Sequence, residues 1–266
     1  MHRRIGSSLM RIYDNTCLTR RVAGEAPIAL VILNGTGLVK GFEALWPRAT
    51  VTICADGGAN KLYDTWRAAG KDEPWIPQYV KGDLDSLRPD VSAFFEARGT
   101  VIMKDPDQDT NDLDKCLALL ESLQASMPGK EDGNDASALK LKVLMLGAMG
   151  GRFDQEIQNI SALYRWSHVF ESMTLFSDHT SVMLLSPGKH CIRPNFDIES
   201  RTCGLIPLGG TCKALTTQGL KWDMTDFETA VSGFVSSSNH CLADEIIVEN
   251  SDPLIWTTEI RSDASG

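Results

Sequence analysis

Val51-Thr52-Ile53-Cys54-Ala55-Asp56-Gly57-Gly58-Ala59-Asn60 is a short run with no charge that ends on an acid and two glycines. An apolar run that does not alternate with polar residues suits a strand covered on both faces, as in a parallel sheet. The glycines mark the turn that ends it. The same arrangement recurs along the chain: Ile28–Leu33 ends at Asn34-Gly35, Ile76–Lys81 at Gly82-Asp83, Thr100–Met103 at Lys104-Asp105-Pro106, and Val143–Leu146 at Gly147. Helical patterns lie between the runs. Leu113, Cys116, Leu117, Leu120 and Leu123 within Asp112–Gln124 follow the i, i+3, i+4, i+7 spacing, as do Ile157, Ile160, Leu163 and Tyr164 within Asp154–Trp166. Strands alternating with helices predict a doubly wound, mostly parallel α/β domain, whose ligands collect beyond the carboxyl ends of the strands.

Acids stand at those ends. They are Asp56, then Asp83 and Asp85 in Gly82-Asp83-Leu84-Asp85-Ser86, then Asp105, Asp107, Asp109, Asp112 and Asp114. Gathered carboxylates repel one another and are costly to desolvate, so a cation or a proton is needed to keep them together. Oxygen ligands without histidine or cysteine point to Mg²⁺, which usually brings substrate phosphates. A plainer account exists for each group: a turn aspartate beside a helix start for Asp83 and Asp85, or helix-capping acids, with Thr110 or Asp109 as cap, for the later run. That account covers one or two acids of the later run but not all five.

Leu146-Gly147-Ala148-Met149-Gly150-Gly151-Arg152-Phe153-Asp154 reads as strand, glycine-rich loop and helix. Its backbone N–H groups and the helix start suit an anion, and Arg152 offers a planar donor fork. It matches neither the P-loop nor a complete G-x-G-x-x-G.

After about residue 180 helical periodicity fades and short stretches alternate between turns such as Ser186-Pro187-Gly188 and Gln218-Gly219. The expected division is a disordered leader over 1–25 with no role in the fold, an α/β catalytic domain over 26–180, and a smaller β-sandwich over 181–266. Ser126–Lys140 reads as a surface loop. Trp222 is either sandwich core or a flat stacking face, and Ser236–Asn239 a turn or a set of ligand donors.

The net charge of −9 argues against nucleic acid as main partner. No apolar run reaches the ~20 residues needed to span a bilayer. Seven scattered cysteines without a C-x-x-C pair suit a reducing compartment, and the expected location is the cytoplasm.

Taken in order, the motifs resemble the eukaryotic thiamine pyrophosphokinase family. They are Val31–Asn34, Cys54–Asn60 with Leu62-Tyr63-Asp64, Gly82-Asp83-x-Asp85-Ser86-x-Arg88-Pro89, Pro106-Asp-Gln-Asp109-x-x-Asp112, Gly151–Gln155, Pro187–His190, Cys203–Pro207, Gly219–Trp222 and Asp252-Pro253-Leu254. The resemblance implies a transferase that moves the diphosphate of ATP to the hydroxyethyl oxygen of thiamine, releasing AMP. It also implies a homodimer whose active sites are shared between subunits. Carried onto this chain, Asp83, Asp85, Asp112, Arg152 and Asp154 would be catalytic. Asp56, Asp83, Asp85 and Asp112 would hold Mg²⁺. Asp56, Gly57, Gly58, Asn60, Gly150, Gly151 and Arg152 would bind the nucleotide. Trp222, from the partner subunit, would stack on thiamine, with Gln108, Thr216, Ser237 and Asn239 as further substrate contacts. Either Asp112 or Asp83 would accept the hydroxyl proton. Two other readings stay open: a dehalogenase-like phosphatase using Asp83 and Asp85, and a silent binding protein on the same fold.

Overall fold

The computed structural model describes residues 10–20, 25–35, 38, 41–127 and 139–261. Most of the loop expected over 126–140, the extremes of the leader, and Thr36-Gly37 after the first parallel strand lie outside the described residues. The chain divides into two compact units, Gly24–His179 and Met1–Ala23 with Thr180–Gly266.

The leader needs correcting. Arg11–Asp14 form strand β1, and Asn15–Leu18 a 3-10 turn capped by the Asp14 carboxylate, which accepts from the Thr16 N–H. Leu18 is buried, and the Asn15 amide donates to the fully buried Glu199 carboxylate at 3.1 and 3.2 Å. The arginines that suggest a solvated leader do not prevent this. Arg11 is exposed, while Asn15 and Leu18 supply the buried contacts.

The Gly24–His179 unit is built as expected. Its strands are β2 (Ile28–Ile32), β3 (Ala49–Ala55), β4 (Tyr79–Gly82), β5 (Val101–Lys104), β6 (Lys142–Leu146) and β7 (Ser172–Phe176). They pair in parallel in the order β7-β6-β2-β3-β4-β5. β2 is buried at every position, which its unbroken Ile-Ala-Leu-Val-Ile demands. The helices are α1 (Phe42–Leu45), α2 (Gly58–Ala69), α3 (Pro89–Glu96), α4 (Asp112–Ala125) and α5 (Phe153–Trp166). α2 packs on α3, and α4 on α5. Sequence order runs outward from β2 through β3, β4 and β5, then restarts at β6 on the other side of β2. That reversal opens the crevice where ligands bind in doubly wound sheets.

The second unit holds β8 (Thr180–Leu185), β9 (Gly188–Arg193), β10 (Glu199–Ile206), β11 (Cys212–Gln218), β12 (Phe227–Thr229), β13 (Ser236–His240), β14 (Ile246–Asn250) and β15 (Leu254–Ile260). One antiparallel layer runs β13-β10-β15-β8, and the other β1-β9-β14-β11-β12, where only β1 pairs in parallel, with β9. Inward residues of both layers meet in one core of Met183, Leu185, Ile192, Leu205, Leu215, Val248 and Trp256 among others. The unit is therefore a sandwich.

Candidate active site

The carboxyl ends of β2, β3, β4 and β6 border one pocket in the α/β unit, lined by Asn34, Asp56, Gly57, Asp83, Asp85, Asp112, Lys115 and the Gly147–Arg152 loop, with a volume of about 600 Å³. Asp56, Asp83 and Asp112 come together there, each offering a carboxylate oxygen within 4.8 Å of the others. They come from three places in the chain: the end of β3, the end of β4, and the first residue of α4.

Local geometry explains the convergence. Asp56 adopts φ 41° and Leu84 φ 65°, both in the left-handed region that residues with a side chain seldom enter. The bend at Leu84 sets the Asp85 N–H on Asp83 Oδ1 at 3.2 Å. Asp56 Oδ2 accepts the Ser86 N–H at 3.1 Å, tying the ends of β3 and β4 together. Gly82 leaves the space the acids occupy. A Cβ at that position would meet Asp56 Cβ at 2.8 Å and Asp112 Oδ1 at 2.9 Å.

The electrostatics suit a cation. Asp56 is 3 % exposed and its Oδ1 has no hydrogen-bond partner. Burial pushes its carboxyl above the usual range against the Ser86 N–H, and the charges of Asp112 and Asp85 push it further. Burial also raises Asp112, with Lys115 opposing and Asp83 adding to the shift. Asp83 is held low, first by the Gln108 amide, which donates at 3.1 Å, and then by the Asp85 N–H. A buried carboxylate oxygen without a donor is costly unless a ligand satisfies it. A hard divalent cation fits the all-oxygen donor set.

Several expected site residues stand elsewhere. Asp85 lines the pocket but does not join the three; it is exposed and accepts from the Ser86 hydroxyl at 2.9 Å. Arg152 and Asp154 are exposed and hold each other through paired contacts of 3.1 and 2.5 Å. Arg152 lines the pocket, while Asp154 joins neither its lining nor the carboxylate cluster. The N–H groups of Gly150 and Gly151 are occupied by Glu156 Oε1 at 2.8 and 2.9 Å. The loop is thus held by Glu156, and by Asn159, whose amide donates to the Ala148 carbonyl at 2.8 Å. Gly57 and Gly58 open α2. A Cβ on Gly58 would lie 2.1 Å from the Ile32 carbonyl oxygen, so its glycine serves the close approach of β2. Asn60 is a strut: it donates to the Ser86 carbonyl at 2.7 Å and accepts the Arg88 N–H at 3.1 Å.

The need for a cation beneath the whole 105–114 run is also corrected. Asp105 pairs with Lys81 at 2.9 Å, and Asp107 accepts the Thr110 hydroxyl at 2.7 Å. Asp114 accepts from Arg165 and from the Trp166 indole N–H at 2.7 and 2.8 Å. The helix cap is Asn111, which accepts the Asp114 N–H at 2.9 Å, and neither Thr110 nor Asp109. Only Asp112 of this run faces the cluster.

In the sandwich, Trp222 is 56 % exposed, so it is not core. Asn239, expected to touch substrate, is buried and fully used. Its amide donates to the Trp222 carbonyl at 3.0 Å and to the Ser236 hydroxyl at 3.2 Å, and its oxygen accepts the Trp222 N–H at 3.2 Å. It fixes the backbone that presents the indole. The Thr216 hydroxyl accepts the Asp226 N–H at 3.0 Å, and Ser237 is exposed.

A family model described as "Thiamin pyrophosphokinase, catalytic domain" matches residues 42–176, and one described as "Thiamin pyrophosphokinase, vitamin B1 binding domain" matches 189–255. The chain belongs to the thiamine pyrophosphokinase family. Thiamine pyrophosphokinase 1 of Oryza sativa subsp. japonica is 36% identical over 247 residues, covering 90% of this chain and 89% of its own. Thiamine pyrophosphokinase 2 of Arabidopsis thaliana is 36% identical over 264 residues, covering 96% and 92%. The crystal structure of yeast thiamin pyrophosphokinase superposes with a TM-score of 0.81 at 26% identity, covering 98% of this chain and 95% of that one. The catalytic match contains every acid of the cluster, and the B1-binding match contains Trp222.

Sequence reasoning took Gly82 and Ser86 only as motif residues, with no site role, and missed Lys115, Glu156 and Asn159. Lys115 alone left a signal, standing three residues after Asp112 and so on the same helix face.

Proposed function

We propose that this thiamine pyrophosphokinase transfers the terminal diphosphate of ATP to the hydroxyethyl oxygen of thiamine, giving thiamine diphosphate and AMP. The observation that carries the reading is the meeting of Asp56, Asp83 and Asp112, with Asp56 Oδ1 left without a donor, in a chain of this family. The thiamine oxygen attacks the β-phosphorus, a new O–P bond forms, and the bond to the α–β bridging oxygen breaks. The hydroxyl proton passes to Asp83 or Asp112. Positioning and charge stabilisation supply most of the rate in such transfers.

Mg²⁺ held by Asp56, Asp83 and Asp112 would neutralise the polyphosphate charge. Asp85 stands at the rim and orients Ser86. Arg152 exchanges its exposed Asp154 partner for a phosphate oxygen as charge develops on AMP. Trp222 stacks on the thiamine rings, and Asn239 keeps its backbone in place.

The enzyme works as a homodimer in the cytoplasm. The exposed Val231, Phe234 and Leu242 of the sandwich support the first, being large apolar residues that a second copy would cover. The described cysteines, all free, fit a reducing compartment. Light scattering after gel filtration tests the dimer.

The deciding assay supplies ATP, thiamine and Mg²⁺ to the purified protein. Equal amounts of AMP and thiamine diphosphate are expected, with both lost in EDTA. Formation of ADP and thiamine monophosphate, or a trapped aspartyl phosphate without thiamine, would overturn the reading.

A further inference from the structure

Lys115 is the one strongly basic residue among those lining the pocket that is buried, at 5 % exposure overall and 3 % for its side chain. Lysines almost never bury their ammonium, because the stem is long enough to carry it to water. Here the ammonium stays inside, 3.5 Å from Asp112 Oδ1, with one turn of α4 setting the pair at i, i+3. Helix packing does not require the charge. Position 115 is buried in α4, as Leu113, Cys116 and Leu117 are, and a methionine there would fit the same stem.

What requires it is the cluster. Asp56, Asp83 and Asp112 crowd three carboxylates at the ends of different elements, where the Gln108 amide and the Asp85 and Ser86 N–H groups bring hydrogen bonds to Asp83 and Asp56 but no full positive charge. The Lys115 ammonium, 3.5 Å from Asp112 Oδ1, is the positive charge that the structure sets beside them.

We propose that Lys115 is a positioning residue of this site, a built-in countercharge that holds Asp112 in the cluster and screens the three carboxylates until the divalent cation arrives. The inference rests on the divalent-cation reading above. Its consequence is a trade: Lys115 keeps the cation-free site assembled between turnovers, and it weakens the grip on the cation by the same electrostatics.

The test uses Mn²⁺ as probe, in the absence of nucleotide, on the full chain. Free Mn²⁺ is counted by electron paramagnetic resonance, and melting is followed in EDTA and in Mn²⁺. Lys115→Met should bind Mn²⁺ about tenfold more tightly than the wild type. It should melt earlier in EDTA and recover most of that loss in Mn²⁺. Lys115→Arg, which keeps the charge, should stay within about threefold of wild-type affinity. Unchanged Mn²⁺ affinity in Lys115→Met overturns the proposal, and so does a melting loss of equal size with and without Mn²⁺, since that is what lost packing alone produces. If Lys115→Met does not fold in either condition, Lys115→Met/Asp112→Asn decides. Restored folding supports charge balance, and continued failure overturns it. A wild type that neither binds Mn²⁺ nor changes its melting with it would sink the cation reading instead. The Lys115 role would then stand or fall on whether Asp112→Asn restores the Lys115→Met melt in EDTA.

Discussion

Gly82 and Asp112 sit so close that a methyl group on Gly82 would lie 2.9 Å from Asp112 Oδ1. β4 must end without a side chain for the first turn of α4 to deliver its carboxylate. In Gly82→Ala the Asp112 carboxylate could swing aside only by leaving the cluster, and the other obstacle, at 2.8 Å, is the Cβ of Asp56, which the backbone fixes. Overpacking of this kind costs about 1–3 kcal/mol. The variant should melt earlier and lose at least ~10-fold in kcat, since displacing one positioned charge weakens the whole cluster. Wild-type kcat in Gly82→Ala would mean that the cluster tolerates the shift.

Asp56 carries a cost in the cation-free protein. Its carboxyl is raised by burial and by the charges of Asp112 and Asp85, so the fold disfavours its ionised form. Asp56→Asn keeps the shape and can still accept the Ser86 N–H. It should therefore raise stability in EDTA by about 1 kcal/mol while lowering kcat at least ~10²-fold. Paired melts and turnover measurements check both, and a variant that loses stability would remove the repulsion argument.

Asp83 and Asp85, two residues apart in the chain, should separate in assay. Asp83→Asn strikes the cluster and should cost at least ~10²-fold in kcat. Asp85→Asn, at the exposed rim, should cost no more than about tenfold. Equal losses in both would place Asp85 on the cation.

Trp222→Ala should raise KM for thiamine about tenfold or more and leave KM for ATP nearly unchanged, because the indole is exposed, its ring contact being the Lys221 ammonium 4.5 Å from the centroid, and can stack on a ligand ring. Asn239→Ala should repeat that split more weakly and also melt earlier, since it releases hydrogen bonds to both sides of the Trp222 backbone. An equal rise in both constants for Trp222→Ala would mark the residue as part of the fold.

His190 supplies a pH dependence outside the site. It is fully buried beside Tyr13, with Nε2–H donating to the Ser186 carbonyl at 2.7 Å. Burial, and then the Arg11 charge, holds its imidazole below the usual range. The unfolded chain takes up this proton at a higher pH than the native one does. Stability is therefore full above the ordinary histidine range and falls as the pH drops through it towards the native value. Between about pH 7.5 and 5.5 the wild type should lose more stability than His190→Gln, which can still donate to Ser186. Parallel pH profiles would refute this.

The parallel sheet was legible because its signal is local. Unbroken apolar runs such as Ile28–Ile32 end at glycines, and the α4 and α5 periodicities matched their helices to within a residue. α2 was harder to read, for its buried face is only Gly58, Ala59 and Leu62, with Tyr63 and Trp66 packing onto Phe94 of α3. Strand β1 was illegible: four residues with an exposed-to-intermediate pattern form a strand only because β9 offers an edge.

For the site, the sequence by itself determined which acids stand at strand ends, and so that some of them must meet, since a doubly wound sheet gathers those ends. Only the tertiary structure decided which ones. Asp105, Asp107 and Asp114 found cations, hydroxyls or amides of their own, while Asp56, Asp83 and Asp112 were left facing one another over Gly82, with Lys115 beneath Asp112. The physical reason is range. Apolar periodicity acts between residues a turn or a strand apart, whereas the partner of a charge is whatever the folded chain brings within a few ångströms of it.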